Sequence, residues 1–190
     1  VQSARYANPL TGLPGNVPID ERISELLQTG QSFAVAYCDL DRFKPYSDVY
    51  GYEQGDRIIQ RVGKLLVTHS DPVRDFVGHI GGDDFIVIFQ SADWQARCEA
   101  VLQAFGQLAP NYYHVADREQ GGIQSKDRQG KAVFFPLLSL SIGVTQPDLG
   151  RCRSHHDVAM LATQSKHQAK RLMGNALFVD RRRGIDGSAA

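Results

Sequence analysis

The stretch Gly81-Gly82-Asp83-Asp84-Phe85 decides how this chain can fold, because glycines and acids interrupt a run of strand-forming residues. The flanking residues 75–80 and 85–89 are rich in valine, isoleucine and phenylalanine, which favour strands. Glycine tolerates positive φ, so a Gly-Gly pair is favoured in the two-residue connection of a hairpin. The stretch therefore predicts a tight hairpin with two carboxylates at its tip. Such acids could simply keep the turn hydrated, or they could form part of a site.

The composition is that of a globular protein with no excess of either charge. The chain has 190 residues, and 21 Lys and Arg balance 21 Asp and Glu. This balance argues against a nucleic-acid or membrane-surface binder, since such proteins are basic. Three scattered cysteines favour a reducing, cytoplasmic setting. The length predicts a single domain, residues 1–180, with a basic tail or linker at 181–190, and the lack of an initiator Met suggests a piece of a longer protein.

Apolar periodicity predicts the remaining elements. Residues 33–38 indicate a buried strand, because they are apolar on both faces. The spacing of apolar residues predicts helices that end at Thr29, begin near Gly51, span Trp94–Leu108 and run from Ser154 to about Met173. Further strands are predicted at 137–144 and 176–179, and residues 111–135 are predicted to be extended, with breaks at Gly121-Gly122 and a turn at 127–130.

The predicted strand 33–38 runs directly into Asp39, so this acid could meet the acidic hairpin tip if the two strands pair. Carboxylates gathered at one place repel each other unless a cation neutralises them, and oxygen-only ligation suits Mg²⁺. The turn that follows offers the backbone N–H groups of residues 42–44 as a nest for phosphate oxygens. Lys166 and Lys170 share one helix face, which could contact phosphates or could simply be solvated.

Five ordered motifs make the chain resemble a known family, the GGDEF domains of diguanylate cyclases. The motifs are Leu10-Thr11-Gly12-Leu13, Asp39-Leu40-Asp41-Arg42-Phe43-Lys44, Gly51-Tyr52-Glu53-Gln54-Gly55-Asp56, Gly81-Gly82-Asp83-Asp84-Phe85 and Leu140-Ser141-Ile142-Gly143-Val144. The resemblance implies an α+β fold with a ferredoxin-like βααββαβ core. Its central, mainly antiparallel sheet would be flanked by helices, similar to class III nucleotidyl cyclases and polymerase palm domains.

The resemblance also implies an activity, in which two GTP molecules become cyclic di-GMP and two pyrophosphates. One GTP would be held by each of two facing GGDEF domains, with Mg²⁺ or Mn²⁺ as cofactor. Asp39, Asp83 and the Leu40 carbonyl would hold metal, and Asp39, Asp83 and Asp84 would be catalytic. The implied substrate contacts are Phe43, Lys44, Ser47, Asp56, Gly81, Gly82, Lys166 and Lys170, with Ser47 and Asp56 facing the guanine. From the residues alone, Ser47 could equally be a turn hydroxyl and Asp56 a favourable charge at a helix N-terminus.

Several positions depart from the family pattern. The fourth motif residue is Asp84 where Glu is usual, and Ser47 stands where Asn usually reads the base. Pro72 replaces the Arg of the usual Arg-x-x-Asp inhibitory site, and His79 replaces another Arg. The sequence of residues 79–85 resembles that of GGDEF domains found in tandem with EAL phosphodiesterase and CBS domains. Two functions therefore remain as alternatives: a weakly active cyclase, or a degenerate GTP-binding module that regulates an attached EAL domain.

Overall fold

A five-stranded sheet forms the centre of the molecule. The computed structural model describes residues 6–182. The sheet has the order β2-β3-β1-β6-β7. Its strands are β1 (Ala34–Asp41), β2 (Phe76–Gly81), β3 (Asp84–Phe89), β6 (Ser139–Thr145) and β7 (Ala176–Asp180), and a separate hairpin comprises β4 (Gly122–Lys126) and β5 (Ala132–Pro136). All pairings in the sheet are antiparallel except that of β6 with β7.

Helices cover both faces of this sheet. They are α1 (Asn16–Thr29), α2 (Phe43–Tyr50), α3 (Tyr52–His69), α4 (Trp94–Leu108), α5 (Val115–Gln120) and α6 (His155–Lys170), with a 3-10 helix at Ala109–Tyr112. The run β1-α2-α3-β2-β3-α4-β6 reproduces the βααββαβ order, so the expected α+β fold class is confirmed. No helix within residues 6–182 is long and apolar enough to cross a membrane.

The central strand β1 is apolar on both faces because it separates two cores. Ala36 and Cys38 pack with α3 and α4, whereas Val35 packs on the opposite face with α1 and α6. The apolar residues of α3 between Ile58 and Leu66 are buried in the first of these cores. Each large side chain buried in this way contributes about 1.5–3 kcal/mol relative to an exposed one. The two cores fix the position of β1, and with it the position of Asp39 at its end.

The prediction of extended chain for residues 111–135 is wrong for residues 111–120. They form the 3-10 helix and α5, and Gly121 ends α5 with a left-handed conformation at φ 79° instead of interrupting a strand. Tertiary contacts outweigh local preference here: the hydroxyl of Tyr46 donates to the Tyr112 carbonyl oxygen at 2.6 Å. The predicted turn at 127–130 is confirmed between β4 and β5.

The last helix ends earlier than the sequence predicts. Helix α6 begins after Ser154, as predicted, but it ends at Lys170, before the predicted Met173. Helix α2 was implied by the family resemblance alone and is present. The predicted basic tail at 181–190 lies, from residue 183 onward, outside the described residues.

Strand β6 and helix α6 approach each other at Gly143, which has no side chain to separate them. A Cβ atom at Gly143 would lie 2.2 Å from the carbonyl carbon of Ser165 and 2.3 Å from the backbone nitrogen of Lys166. These are backbone atoms, so the helix as a whole would have to shift. The glycine of the Leu140–Val144 motif is therefore required by the packing that places α6 and its lysines on the sheet.

We predict that Gly143→Ala lowers the free energy of unfolding by about 3 kcal/mol or more, because overpacking forces backbone movement. Chemical denaturation monitored by circular dichroism measures the change. Gly150→Ala is the matched control, since the only atom near its added Cβ is the Asp148 carboxylate oxygen at 3.2 Å. Equal effects of the two substitutions would contradict the packing argument.

Candidate metal and nucleotide site

Strand pairing brings the predicted acids together at one end of the sheet. Asp39 near the end of β1 lies directly opposite Asp84, the first residue of β3. The two central residues of the β2–β3 connection are Gly82 and Asp83, with Gly81 paired to Asp84, so the expected Gly-Gly connection is shifted by one residue. Gly82 has φ 52°, a left-handed conformation that glycine adopts without strain. This turn places Asp83 beside the other two acids.

Asp39, Asp83 and Asp84 each present an oxygen within 4.8 Å of the others. Burial, together with the hydrogen bond and charge of Asp39, raises the pKa of Asp83 to about 8. Burial and the Asp39 charge raise the pKa of Asp84 to about 6, although Lys166 and Lys170 oppose that shift. Oδ1 of Asp84 is buried and has no hydrogen-bond partner within residues 6–182. An unpartnered oxygen in a group of three carboxylates is chemically suited to a hard divalent cation.

Lys166 and Lys170 face these acids and are not a solvated helix face. Nζ of Lys170 lies 2.9 Å from Asp39 Oδ2, and it donates to the Leu40 carbonyl oxygen and to Asp41 Oδ1, each at 3.1 Å. Burial alone would lower the pKa of Lys170, but the hydrogen bonds and charges of Asp39 and Asp41 raise it above its ordinary value. Nζ of Lys166 lies 3.9 Å from Asp39 and 4.4 Å from the centre of the Tyr37 ring.

The Leu40 carbonyl, expected to lie near a metal, is therefore bonded to an ammonium group in this structure. Asp41 holds that ammonium group in place, because its own carboxylate is fixed by two serines of β6. Ser139 Oγ donates to Asp41 at 2.7 Å and Ser141 Oγ at 2.8 Å. The sequence analysis assigned no role to Asp41, whose position two residues after Asp39 puts both side chains on one face of β1.

The turn after β1 leads directly into the N-terminus of α2. Arg42 precedes the helix with φ 60°, and α2 begins at Phe43. The backbone N–H groups of the first helical turn have no partner within the helix, so this end is suited to bind an anion. Phe43 and Lys44 both line a cavity of about 740 Å³ that also contacts the three acids, Leu40 and Lys170. Its wall on the other side is the β4–β5 hairpin.

The structure does not bring every expected substrate residue into this cavity. Its lining does not include Ser47, Asp56, Gly81, Gly82 or Lys166. Ser47 is buried against α3, where its Oγ lies 3.1 Å from the position of a Cβ on Gly55. Asp56 is exposed on α3. The two residues expected to face a guanine therefore lie outside the cavity that contains the acids.

His79 supports the acidic turn, and the sequence analysis noted it only as a departure from the family pattern. Its Nε2–H donates to the Gly82 carbonyl oxygen at 2.8 Å, and Nδ1 accepts from the Thr11 hydroxyl at 2.8 Å. The ring stacks on Phe85 with centroids 4.2 Å apart. Burial lowers the pKa of His79, although its hydrogen bond to Gly82 partly opposes this. A histidine two residues before the glycines was the available sequence signal.

Asp75, the remaining acid of the expected inhibitory site, has a structural role here. Its Oδ1 accepts from the backbone N–H groups of Gln90 and Ser91, each at 3.0 Å. Its Oδ2 accepts from the Asp71 N–H at 2.7 Å and from the Ser91 hydroxyl at 2.9 Å. Both oxygens are thus occupied in fixing the chain beyond β3, in the direction away from the acidic turn.

The fold and the acidic site together define a GGDEF domain. The family model described as diguanylate cyclase, GGDEF domain, matches residues 6–124, so the chain belongs to this family. Diguanylate cyclase DgcP of Escherichia coli strain K12 is 27% identical over 172 residues, which cover 87% of this chain and 46% of that protein. The bifunctional diguanylate cyclase/cyclic di-GMP phosphodiesterase MucR of Pseudomonas aeruginosa is 30% identical over 114 residues, or 56% of this chain and 16% of MucR.

A solved relative has the same fold. Diguanylate cyclase SiaD of Pseudomonas aeruginosa, determined in complex with its activator SiaC, has a TM-score of 0.72 at 24% identity, over 94% of this chain and 63% of SiaD. The chain spans less than half the length of the curated relatives named above. The fold and the family are thereby established, and the activity of a whole protein is a separate question.

We predict that Asp83→Asn raises the melting temperature when divalent cations are absent. An unfolded aspartate ionises near pH 4, whereas folded Asp83 ionises at about 8. Between these values the folded state must keep a proton that the unfolded chain releases, so stability falls as pH rises. The gain from Asp83→Asn should therefore grow from pH 5 to pH 8, as measured by calorimetric melts in EDTA. Glu99→Gln on the exposed surface of α4 is the control, and a lower melting temperature for Asp83→Asn at pH 8 would contradict the prediction.

Proposed function

We propose that this domain binds GTP together with a divalent cation and condenses two GTP molecules into cyclic di-GMP and two pyrophosphates. The group of Asp39, Asp83 and Asp84, with oxygens within 4.8 Å of one another, is the observation that carries this proposal. Family membership supports it, because the matching model describes diguanylate cyclases. The three buried free thiols accord with the cytoplasm, where GTP is available.

Asp39 and Asp83 would hold the cation, with the Leu40 carbonyl as a further oxygen ligand. Mg²⁺ and Mn²⁺ both accept oxygen-only ligation. A bound divalent cation would neutralise charge on the phosphates and on the departing pyrophosphate. Asp83 must lose its proton to become a ligand, so cation affinity should increase as pH rises towards about 8. Lys170 must leave the Leu40 carbonyl, and Asp41 keeps its ammonium group paired when it does.

The protein groups around the cation then bind and orient the nucleotide. The first turn of α2 would donate N–H groups to phosphate oxygens at Phe43 and Lys44. Lys166 and Lys170 lie within reach of Asp39 and would supply cationic contacts to the same phosphates. The pKa of Asp84, about 6, leaves its carboxylate ionised at pH 7 and able to accept a proton from a ribose hydroxyl.

Condensation needs two such domains facing each other. In each half-reaction the 3′ oxygen of one GTP bonds to the α-phosphorus of the other, the bond from that phosphorus to the β-phosphate bridge breaks, and pyrophosphate leaves. The hydroxyl proton passes to a carboxylate. Within residues 6–182 the chain has one group of three potential metal ligands. A second GGDEF domain, in a homodimer, is therefore the proposed partner.

A second candidate function is a GTP-binding module that regulates an attached EAL phosphodiesterase domain. The position of Ser47 and Asp56 favours it, because neither residue lines the cavity in which the reaction would take place. Asp75 cannot contribute to product feedback without giving up its hydrogen bonds. The relative MucR, described as both cyclase and phosphodiesterase, shows that such pairs of activities occur in one protein. Attached EAL, CBS or other sensory domains are part of this proposal.

We predict that Asp39→Asn weakens metal-dependent GTP affinity by about tenfold or more, because it removes one anionic ligand. Calorimetry with GTP and Mn²⁺, and again with EDTA, measures this dependence. Glu99→Gln is the control, since Glu99 is an exposed acid of α4 and is not one of the three grouped acids. The same affinity in wild type with and without metal would rule out the proposed cation.

We predict that Asp84→Glu raises the rate of cyclic di-GMP formation, by up to about a hundredfold, without much change in GTP affinity. Glutamate extends the carboxylate by one methylene, and a displacement of about 1 Å can cost that much in rate. Chromatography of products from GTP with Mg²⁺ or Mn²⁺ gives the rates, and Asp84→Asn should lower any turnover. If wild type and Asp84→Glu both bind GTP and dimerise but form no product, the regulatory function is favoured instead.

A further inference from the structure

The β4–β5 hairpin brings positive charge to a cavity whose opposite wall is acidic. The cavity is lined by five acids and five bases: Asp39, Asp48, Asp83, Asp84 and Asp127, and Arg42, Lys44, Lys126, Arg128 and Lys170. Their formal charges cancel when every group is ionised. One divalent cation on the three grouped acids would therefore leave the cavity with a net charge of about +2. A cavity with this excess is suited to an anionic ligand.

The cations in the cavity differ in whether they already have partners. Lys44 is paired with Asp48 at 2.9 Å, and Lys170 with Asp39 at 2.9 Å. The side chains of Arg42, Lys126 and Arg128 have no hydrogen bond or ion pair to any residue in the described range 6–182. Two of these three available cations, Lys126 and Arg128, belong to the hairpin. They line the same cavity as the acids and the N-terminus of α2.

The hairpin holds these two residues on a defined turn. Asp127 Oδ1 accepts from the backbone N–H groups of Gln129 and Lys131, each at 2.9 Å, so this acid stabilises the turn between its basic neighbours. Lys126 is paired with Ala132 at the last ladder position before the turn. Phe135 of β5 packs against the main core and also lines the cavity. The hairpin is thus anchored at its base, and its tip carries the cations.

We propose that Lys126 and Arg128 bind the phosphate chain of the nucleotide held at the acidic site. This inference rests on the proposed function and adds a second contact surface to it, beside the N-terminus of α2. Arginine can contact two phosphate oxygens at once and lysine acts as a point charge, so both types suit a triphosphate. Ile123 and Phe135 of the hairpin contact the core, so the hairpin holds the two cations at the cavity.

The test measures nucleotide affinity of the double variant Lys126→Ala/Arg128→Ala by calorimetry with Mn²⁺. The ligands are a GTP analogue with a non-cleavable bridge between the α- and β-phosphates, and GMP. We expect affinity for the GTP analogue to fall by about tenfold or more, with GMP affinity unchanged. Lys131→Ala is the matched control, because Lys131 is an exposed cation on the same hairpin that does not line the cavity. Circular dichroism melts check that the hairpin variant remains folded.

Three outcomes overturn the inference, and they differ in what they say about the proposed function. If the double variant binds the GTP analogue as wild type does, the hairpin does not bind phosphate and the proposed function is unaffected. If affinity for GMP falls equally, the hairpin acts on the nucleoside or on the fold and not on the phosphate chain. If wild type itself binds no GTP analogue with metal, both the proposed function and the proposed phosphate contact of the hairpin are wrong.

Discussion

The functional end of the domain depends on the pairing of β1 with β3, and this pairing has an electrostatic cost. It places Asp39 opposite Asp84 and brings Asp83 beside them. Two carboxylates about 4 Å apart repel by about 4 kcal/mol at the effective dielectric of a protein surface. The strands stay paired because a few buried side chains outweigh that repulsion: Phe85 and Ile142 alone contribute about 1.5–3 kcal/mol each. The cores therefore hold together charges that would separate by themselves.

Lys170 reduces this repulsion, and its contacts are compatible with its replacement at Asp39 by the proposed cation. Its ammonium group contacts Asp39, Asp41 and the Leu40 carbonyl. Removing one partner of a buried ion pair is costly when the other is left alone. Because Ser139 and Ser141 keep Asp41 in place, Lys170 can give up Asp39 and still retain a countercharge. If the proposed cation replaces Lys170 at Asp39, this arrangement would avoid an unpaired ammonium group.

The sequence predicted the parts of this domain that have strong local signals. The two-sided apolar pattern of residues 33–38 predicted a buried strand, and its acidic end led to the meeting of Asp39 with Asp83 and Asp84. Residues 111–120 were predicted wrongly, because contacts between Tyr46 of α2 and Tyr112 and Tyr113 decide their conformation, and such long-range contacts leave no local pattern. The residues that line the cavity could not all be predicted, for the same reason. Nothing near Lys126 or Arg128 in the sequence indicates that a hairpin would place them opposite the acids.

The hydrogen bond from the backbone N–H of His79 to the Pro14 carbonyl oxygen, at 2.8 Å, protects one edge of the sheet from pairing with another strand. Strand β2 is an edge of the sheet, since its only neighbour there is β3. An uncovered edge presents free backbone groups that can pair with another chain and begin aggregation. The turn of residues 7–14 lies along this edge and occupies a donor on it. The motif Leu10-Thr11-Gly12-Leu13 belongs to this turn, and a shortened chain that lacked the turn would leave this donor of β2 free to pair with another strand.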